Sequence, residues 1–297
     1  MRVFVTGASG FVGSAVVQEL IAAGHKVIGL ARSDSSAKAI EAMGAEVHRG
    51  DLEDLESLKS GALASDGVIH TGFIHDFARF KEVCETDRRA IEAIGSVLTG
   101  SDRPFIITSG TALVSPGQLA TEDILPAPGA HSHPRVASEL AADALASTGI
   151  RTSVIRLSPS VHGDGDHGFI PILINTAREK GVSAYVGDGL NRWTAVHRLD
   201  AAQLYRLALE NATAGTRFHG VAEEGIAFKD IAEVIGKQLN IPVVSKSTEE
   251  AADHFGWFAG FAGLDCPASS KLTKEKSGWN TGHITLLEDM KNGTYFK

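Results

Sequence analysis

The chain has 297 residues, 43% apolar and 22% charged, an ordinary globular balance with room for one large or two modest domains. Its net charge of −8 argues against nucleic-acid and anionic-membrane partners, both of which need basic patches. No apolar run is long enough to span a membrane and no signal peptide is visible. Cys84 and Cys266 give no disulfide framework, so a cytoplasmic protein with reduced thiols is expected.

Taken in order, Arg2-Val3-Phe4-Val5-Thr6 reads as a buried strand. Gly7, Gly10 and Gly13 follow in GxxGxxG spacing. Val12, Val16, Val17, Leu20 and Ile21 then fall on one helical stripe, which Gly24 ends. A glycine turn that opens a helix offers bare N–H groups and the positive end of the helix dipole, which is what a pyrophosphate needs. The turn residues Gly7, Ser9, Gly10, Phe11, Val12 and Gly13 are therefore the candidate dinucleotide cradle, with a tight turn holding no ligand as the alternative.

The stretch VTGASGFVGSAVVQEL resembles the opening of the short-chain dehydrogenase/reductase superfamily in its extended or atypical branch, the NAD-dependent epimerase/dehydratase type, which writes this turn TGxxGxxG. The resemblance covers essentially the whole chain and is strongest up to Val161.

Residues 25–32 read as the second strand, completing a βαβ unit. An acidic residue at its end would favour NAD, whereas arginine would pair a 2′-phosphate. Arg32 stands there, followed by Ser33, Ser35, Ser36 and Lys38, so NADP is the expected cofactor; NAD is the alternative, with Asp34 serving the ribose. A helix over 35–43 and a strand over 45–50 lead to Asp51 and Leu52. The resemblance implies an adenine contact for Asp51, and capping of the helix that carries Leu55 and Leu58 remains open beside it. A fourth strand (67–73, with Thr71 at its exit), a helix over 87–98 and a fifth strand (104–111) continue the alternation. Strict alternation with apolar strands implies a parallel sheet covered on both faces, and ligands then sit beyond the C-terminal strand ends, where the glycine turn, Arg32, Asp51, Thr71 and Ser109 converge.

In the superfamily a Ser or Thr at the end of the fifth strand polarises the substrate oxygen, and a Tyr-x-x-x-Lys pair follows on the next helix. Neither Tyr185, Tyr205 nor Tyr295 has a lysine four residues later. Registered on Glu139, a helix expected from Ala130 to Gly149 puts His131 at the Tyr position and Arg135 at the Lys position; the polarising slot falls on Gly110, leaving Ser109 or Thr111. His131 as proton donor and Arg135 as ribose anchor form one reading. Against it, a cation four residues away depresses the pKa of His131. Ordinary loop residues on a dinucleotide-binding fold without standard dehydrogenase chemistry form the other reading. Pro159 and Val161 match the family's PxxVxG loop flanking the cofactor. Histidines 131, 133, 162, 167 and 197 lie in segments expected at the pocket mouth. His131-x-His133 could ligate a metal with Asp164 or Asp166, but no tight motif such as HExxH is present and no metal is expected.

Beyond residue 161 a helix over 169–180, a strand near 184–189 and the segment 191–200 resemble the family's substrate-facing stretch, with Asp200 capping the next helix. His133, His162, Arg192, Trp193 and His197 are the substrate-side candidates, with plain packing the alternative for Trp193. Residues 228–239 form a clean amphipathic helix, 241–244 a short strand, and the aromatic stretch 248–263 a pocket lid or a subunit contact. The expected architecture is α/β: a doubly wound parallel sheet (Rossmann fold) over 1–160 and a smaller C-terminal α+β substrate-binding domain over 161–297, with residues near 196–222 returning to the first. The expected activity is hydride transfer between NADP(H) and a small carbonyl or alcohol. The alternatives are a non-catalytic NADP(H) sensor and a sugar-nucleotide epimerase or dehydratase. The resemblance also implies a homodimer.

Overall fold

The computed structural model describes residues 1–127, 129 and 133–297. Apolar strands alternate with helices through β1 (Arg2–Thr6), α1 (Phe11–Ala22), β2 (Lys26–Ala31), α2 (Asp34–Ala42), β3 (Glu46–Arg49), α3 (Leu55–Leu63), β4 (Gly67–His70), α4 (Phe80–Ser96), β5 (Phe105–Gly110), α5 (Val136–Ser147) and β6 (Thr152–Leu157). There follow β7 (Ser160–His162), α6 (Phe169–Lys180), β8 (Ser183–Val186), β9 (Arg192–His197), α7 (Arg198–Asn211), β10 (Arg217–Gly220), β11 (Glu223–Ala227) and α8 (Phe228–Leu239). The chain ends with β12 (Val243–Lys246), α9 (Thr248–Phe255), α10 (Ala259–Ala262), α11 (Lys271–Ser277) and α12 (Leu286–Asn292).

One parallel sheet runs β10-β6-β5-β4-β1-β2-β3. Both of its faces are apolar, so alternate residues of a strand enter different cores. Val3 and Val5 pack with Val16, Val17 and Leu20 of α1 and with Leu204 and Tyr205 of α7. Phe4 points the other way, among Leu58, Ile91, Ile94 and Phe105. The strand order reverses where β1 lies between β2 and β4, which opens a crevice at the strand ends. A third core gathers α6, α8 and α9 around Trp193 of β9, which pairs with β7 and β11. α7 and β10 belong to the large-sheet layer.

Four local expectations need correction. α4 begins at Phe80 rather than Asp87, because Val83 and Cys84 extend its buried stripe and Asp76 caps the 3-10 turn before it. α5 begins at Val136 rather than near Ala130; Pro134 disfavours helical backbone at the residue before it. Asp54, not Asp51, caps α3, while Asp51 closes the preceding turn by accepting from Glu53 N and Asp54 N. His197, not Asp200, caps α7; Asp200 instead accepts from His283 Nδ1 and from the N–H groups of Gly282 and His283.

Among the described residues no helix is long and apolar enough to cross a membrane. Cys84 and Cys266 are free and buried, and burial pushes their thiols up to about 11 and about 12.

Candidate dinucleotide and substrate cleft

The glycine turn is built for close approach. Gly7 has φ +68°, and a Cβ there would lie 2.8 Å from Gly72 N; a Cβ on Gly13 would lie 2.0 Å from Gly7 O. α1 therefore sits against β1 and the exit of β4 at a distance that no side chain permits. Gly10 N donates to Gly7 O at 2.8 Å, which fixes the turn. No side chain caps α1 and its first turn carries no acidic residue, so its N–H groups remain available to an anion. A dinucleotide fits this cradle, since a Cβ at either glycine would fill the space needed for backbone contact.

From the cradle a cleft of about 1110 Å³ follows the strand ends. It is lined by Gly7, Ser9, Gly10, Phe11, Val12, Gly13, Arg32, Asp51, Leu52, Thr71, Ser109, His133, Arg135, Pro159, Val161 and Trp193, all singled out from the sequence. At the β2 end, Ser33 and Ser36 also face the cleft, whereas Asp34 is paired with Arg49 at 2.7 Å. At the middle, the Arg135 guanidinium lies 3.7 Å from the Phe73 ring centroid and its Nη2 donates to Thr108 O at 3.2 Å. Among the described residues, Arg135 Nε is buried without a hydrogen-bond partner. A buried donor left unpaired is costly, and here it waits at the wall of a ligand-sized cleft.

Beneath Arg135 lies a buried polar chain. Asp87 accepts from Ser138 Oγ at 2.5 Å and pairs with His70 Nε2 at 3.0 Å; His70 Nδ1 meets Thr6 Oγ1 at 2.8 Å. Burial alone would raise the Asp87 carboxyl, but the Arg135 charge and the His70 and Ser138 hydrogen bonds hold it below its ordinary value. A carboxylate accepts only, so His70 Nε2 donates to Asp87.

Other candidates are placed differently. His131 lies outside the described residues. Thr111 is buried against Thr194 and Leu157 O and does not line the cleft. Ser109 does line it, but its hydroxyl donates to the buried Glu139 at 2.6 Å. Arg192 is held by Asp265 through its Nε and Nη2 (3.0 and 2.9 Å), away from the cleft. His162 is buried and bonded to Asp289, and His197 stacks on His283 with ring centroids 4.5 Å apart; neither borders the cleft. Trp193 borders it with one edge while its Nε1 donates to Phe261 O, so packing accounts for most of its role.

Sequence reasoning missed His75, Phe77 and Phe80, which line the far end after the exit of β4. The spacing of Phe73, Phe77 and Phe80 was the available signal. His75 and His133 both have pKa values lowered first by desolvation and then by Arg135. Asp166, another wall residue, has its pKa raised by burial, and accepts from Gly168 N and Tyr295 Oη at 2.7 Å each. Trp257 and Phe261, from the stretch expected to be a lid or a subunit contact, complete this end. Among the described residues no group of three or more His, Cys, Asp or Glu is arranged to hold a metal ion.

Comparison with known proteins agrees with this geometry. An uncharacterized protein of Schizosaccharomyces pombe is 52% identical over 298 residues, covering 100% of both chains. The sterol-4-alpha-carboxylate 3-dehydrogenase (decarboxylating) of Dictyostelium discoideum is 29% identical, covering 77% of this chain and 73% of its own. Among solved structures, the dTDP-glucose 4,6-dehydratase of Streptomyces venezuelae with NAD bound superposes with a TM-score of 0.75 at 18% identity, over 98% of this chain and 95% of that one. The family model for the NAD-dependent epimerase/dehydratase family matches residues 3–219, the span that contains the glycine cradle, the strand ends and Arg135: the chain belongs to that family, of the extended short-chain dehydrogenase/reductase type.

Proposed function

We propose that the protein is an NADP-dependent oxidoreductase acting on a small carbonyl or alcohol substrate. The observation that carries this reading is the cleft itself, which joins the glycine cradle to an aromatic-lined end and has, among the described residues, an unpaired guanidinium nitrogen at the junction. When bound, the nicotinamide supplies or accepts the hydride: a carbonyl gains hydride at carbon and a proton at oxygen as NADPH becomes NADP⁺. Arg135, anchored by Thr108 O, suits the ribose hydroxyls and leaves Nε to donate. His131, in register with the family's tyrosine, handles the proton in this reading. His133 and His75, which also line the cleft, have pKa values lowered by desolvation and then by Arg135, which disfavours the protonated form that acts as an acid.

Support for NADP comes from the end of β2. Arg32, Ser33 and Ser36 line the cleft there, while Asp34, which would otherwise serve the ribose, is engaged by Arg49. The relative from Dictyostelium discoideum is named as a dehydrogenase, which agrees with redox chemistry. An epimerase mechanism draws no support from the tyrosines. Tyr205 is buried on Thr108, Tyr295 is bonded to Asp166, Tyr185 sits beside Lys229, and none lines the cleft. A homodimer formed through α4 and α5, the helices beside the site, is part of the proposal, and sedimentation of the full chain tests it.

The deciding experiment is NADPH oxidation over a carbonyl panel, with NADPH binding measured in parallel on the wild type and on His131→Ala. Turnover that the variant loses supports the reading. Tight NADPH binding with no turnover on any carbonyl replaces it with a dinucleotide sensor.

A further inference from the structure

We propose that the far end of the cleft takes an apolar carbonyl compound bearing a flat ring, and that it excludes sugar nucleotides. This deepens the oxidoreductase reading and rests on it. Two observations carry the inference.

The first is a stack of aromatic rings with an open end. Phe77 lies parallel to Phe80 on one side (5.7 Å, 14°) and to Trp257 on the other (4.7 Å, 22°), and Phe261 meets it edge-on at 5.8 Å. All four rings border the cleft. They come from two distant segments, the exit of β4 and the stretch around α9 and α10, which meet through this stack. Trp257 is 56% exposed despite this stack. A large aromatic surface left to water at a cleft mouth is covered favourably by another flat ring.

The second is charge. A sugar nucleotide brings a diphosphate, which needs fixed cations or an open helix N-terminus. Among the described residues that line the C-terminal wall there is no lysine or arginine. Arg192, the nearest guanidinium in sequence, is committed to Asp265 by both Nε and Nη2. At the N-terminus of α6, which borders the cleft, the Asp166 carboxyl group accepts from Gly168 N and stands beside the helix end that a phosphate would approach. Of the two arginines that line the cleft among the described residues, Arg32 stands at the β2 end and Arg135 at the junction with the cradle, where the proposed function assigns it to the cofactor ribose, so neither is left for a substrate diphosphate.

The test uses the full-length protein loaded with NADP⁺ and titrated calorimetrically with 2-acetylnaphthalene or with UDP-glucose, in the wild type, Trp257→Ala and Trp257→Phe. The naphthyl ketone should bind and UDP-glucose should not. Trp257→Ala should weaken the ketone about tenfold, Trp257→Phe should restore most of the affinity, and NADPH affinity should stay unchanged in all three proteins. Because Trp257 is largely exposed, its truncation should leave the fold intact, which the NADPH titration checks. UDP-glucose binding as tightly as the ketone, or a Trp257→Ala affinity within twofold of wild type, overturns the inference while leaving the cofactor reading in place. Absent NADPH binding overturns both. Ketone binding without NADPH oxidation upholds the ligand class and removes the redox role.

Discussion

Replacing Gly13 with alanine tests the cradle most directly. The added methyl group would sit 2.0 Å from Gly7 O, 2.7 Å from Gly7 C and 3.0 Å from Thr71 Oγ1. To restore ordinary contact the Gly7 carbonyl must retreat by more than about 1 Å. That carbonyl is held by Gly10 N at 2.8 Å, and Gly7 itself is pressed against Gly72, so the retreat breaks the turn. Overpacking of this kind costs about 1–3 kcal/mol, and the lost hydrogen bond adds about 1 kcal/mol. The displaced N–H groups are those offered to the pyrophosphate. Losing one charge-assisted bond, about 1.5–3 kcal/mol, weakens binding by roughly 10- to 100-fold. Gly24→Ala is the control: Gly24 has φ +84° with nothing within 4 Å of an added Cβ. It should cost about 1–2 kcal/mol through backbone strain alone and leave cofactor affinity untouched. NADPH fluorescence titration and thermal unfolding report both quantities. If Gly13→Ala binds NADPH within twofold of wild type and melts with it, the cradle argument is wrong.

Three further predictions rest on other parts of the molecule. Arg32→Asp should weaken NADPH by roughly 10-fold or more, the scale of one charge-assisted contact, while sparing NADH; unchanged NADPH affinity would dismiss a phosphate clamp. Glu139 and Arg156 are fully buried and joined at 2.9 and 2.7 Å. Burial would raise the Glu139 carboxyl, yet Arg156, Ser109 and Arg217 together hold it low. Its stabilisation is therefore present above the unfolded carboxyl pKa and disappears as pH falls through the lower folded value. Glu139→Gln should cost about 3–5 kcal/mol near neutral pH and flatten the acid limb of a urea-stability profile; a parallel profile would contradict this. His197 has its pKa lowered to about 4 by desolvation, then by His162 and His283. The unfolded chain takes up that proton first, so stability should fall as pH drops from about 6.5 to about 4. His197→Asn, which can keep the cap on Leu199 N, should remove that slope, and an unaltered slope would exonerate the residue.

The large sheet was legible because its information is local. The inner strands are short apolar runs, and the GxxGxxG turn couples a sequence spacing to a steric requirement that Gly7 and Gly13 satisfy in space. The start of α4 was missed because Phe80 and Val83 continue a stripe whose first turn is charged. Arg192 illustrates a different failure. Nothing near it in sequence reveals that Asp265, 73 residues away, takes its guanidinium. His162 was claimed in the same way by Asp289, and the aromatic wall needed two segments far apart to meet. Residue type identified groups able to meet a substrate; long-range pairing decided which of them were free to do so.

That distinction bears on how the fold holds Arg135 at the cleft wall. A permanent guanidinium at the cleft junction needs a buried counter-charge, and the Asp87 carboxylate provides one without closing a direct ion pair onto it. Asp87 is in turn bonded to Ser138 of α5 and to His70 at the end of β4, and His70 meets Thr6 at the end of β1. Thr6 also accepts from Gly72 N, while its carbonyl accepts from Thr71 Oγ1. One hydrogen-bonded chain thus runs from the strand end beside the glycine turn to the helix beside Arg135, so the turn and the guanidinium are held in a fixed relation. Direct pairing to a carboxylate would have occupied the guanidinium, as it occupies Arg192; charge compensation at one remove leaves Nε available to a ligand.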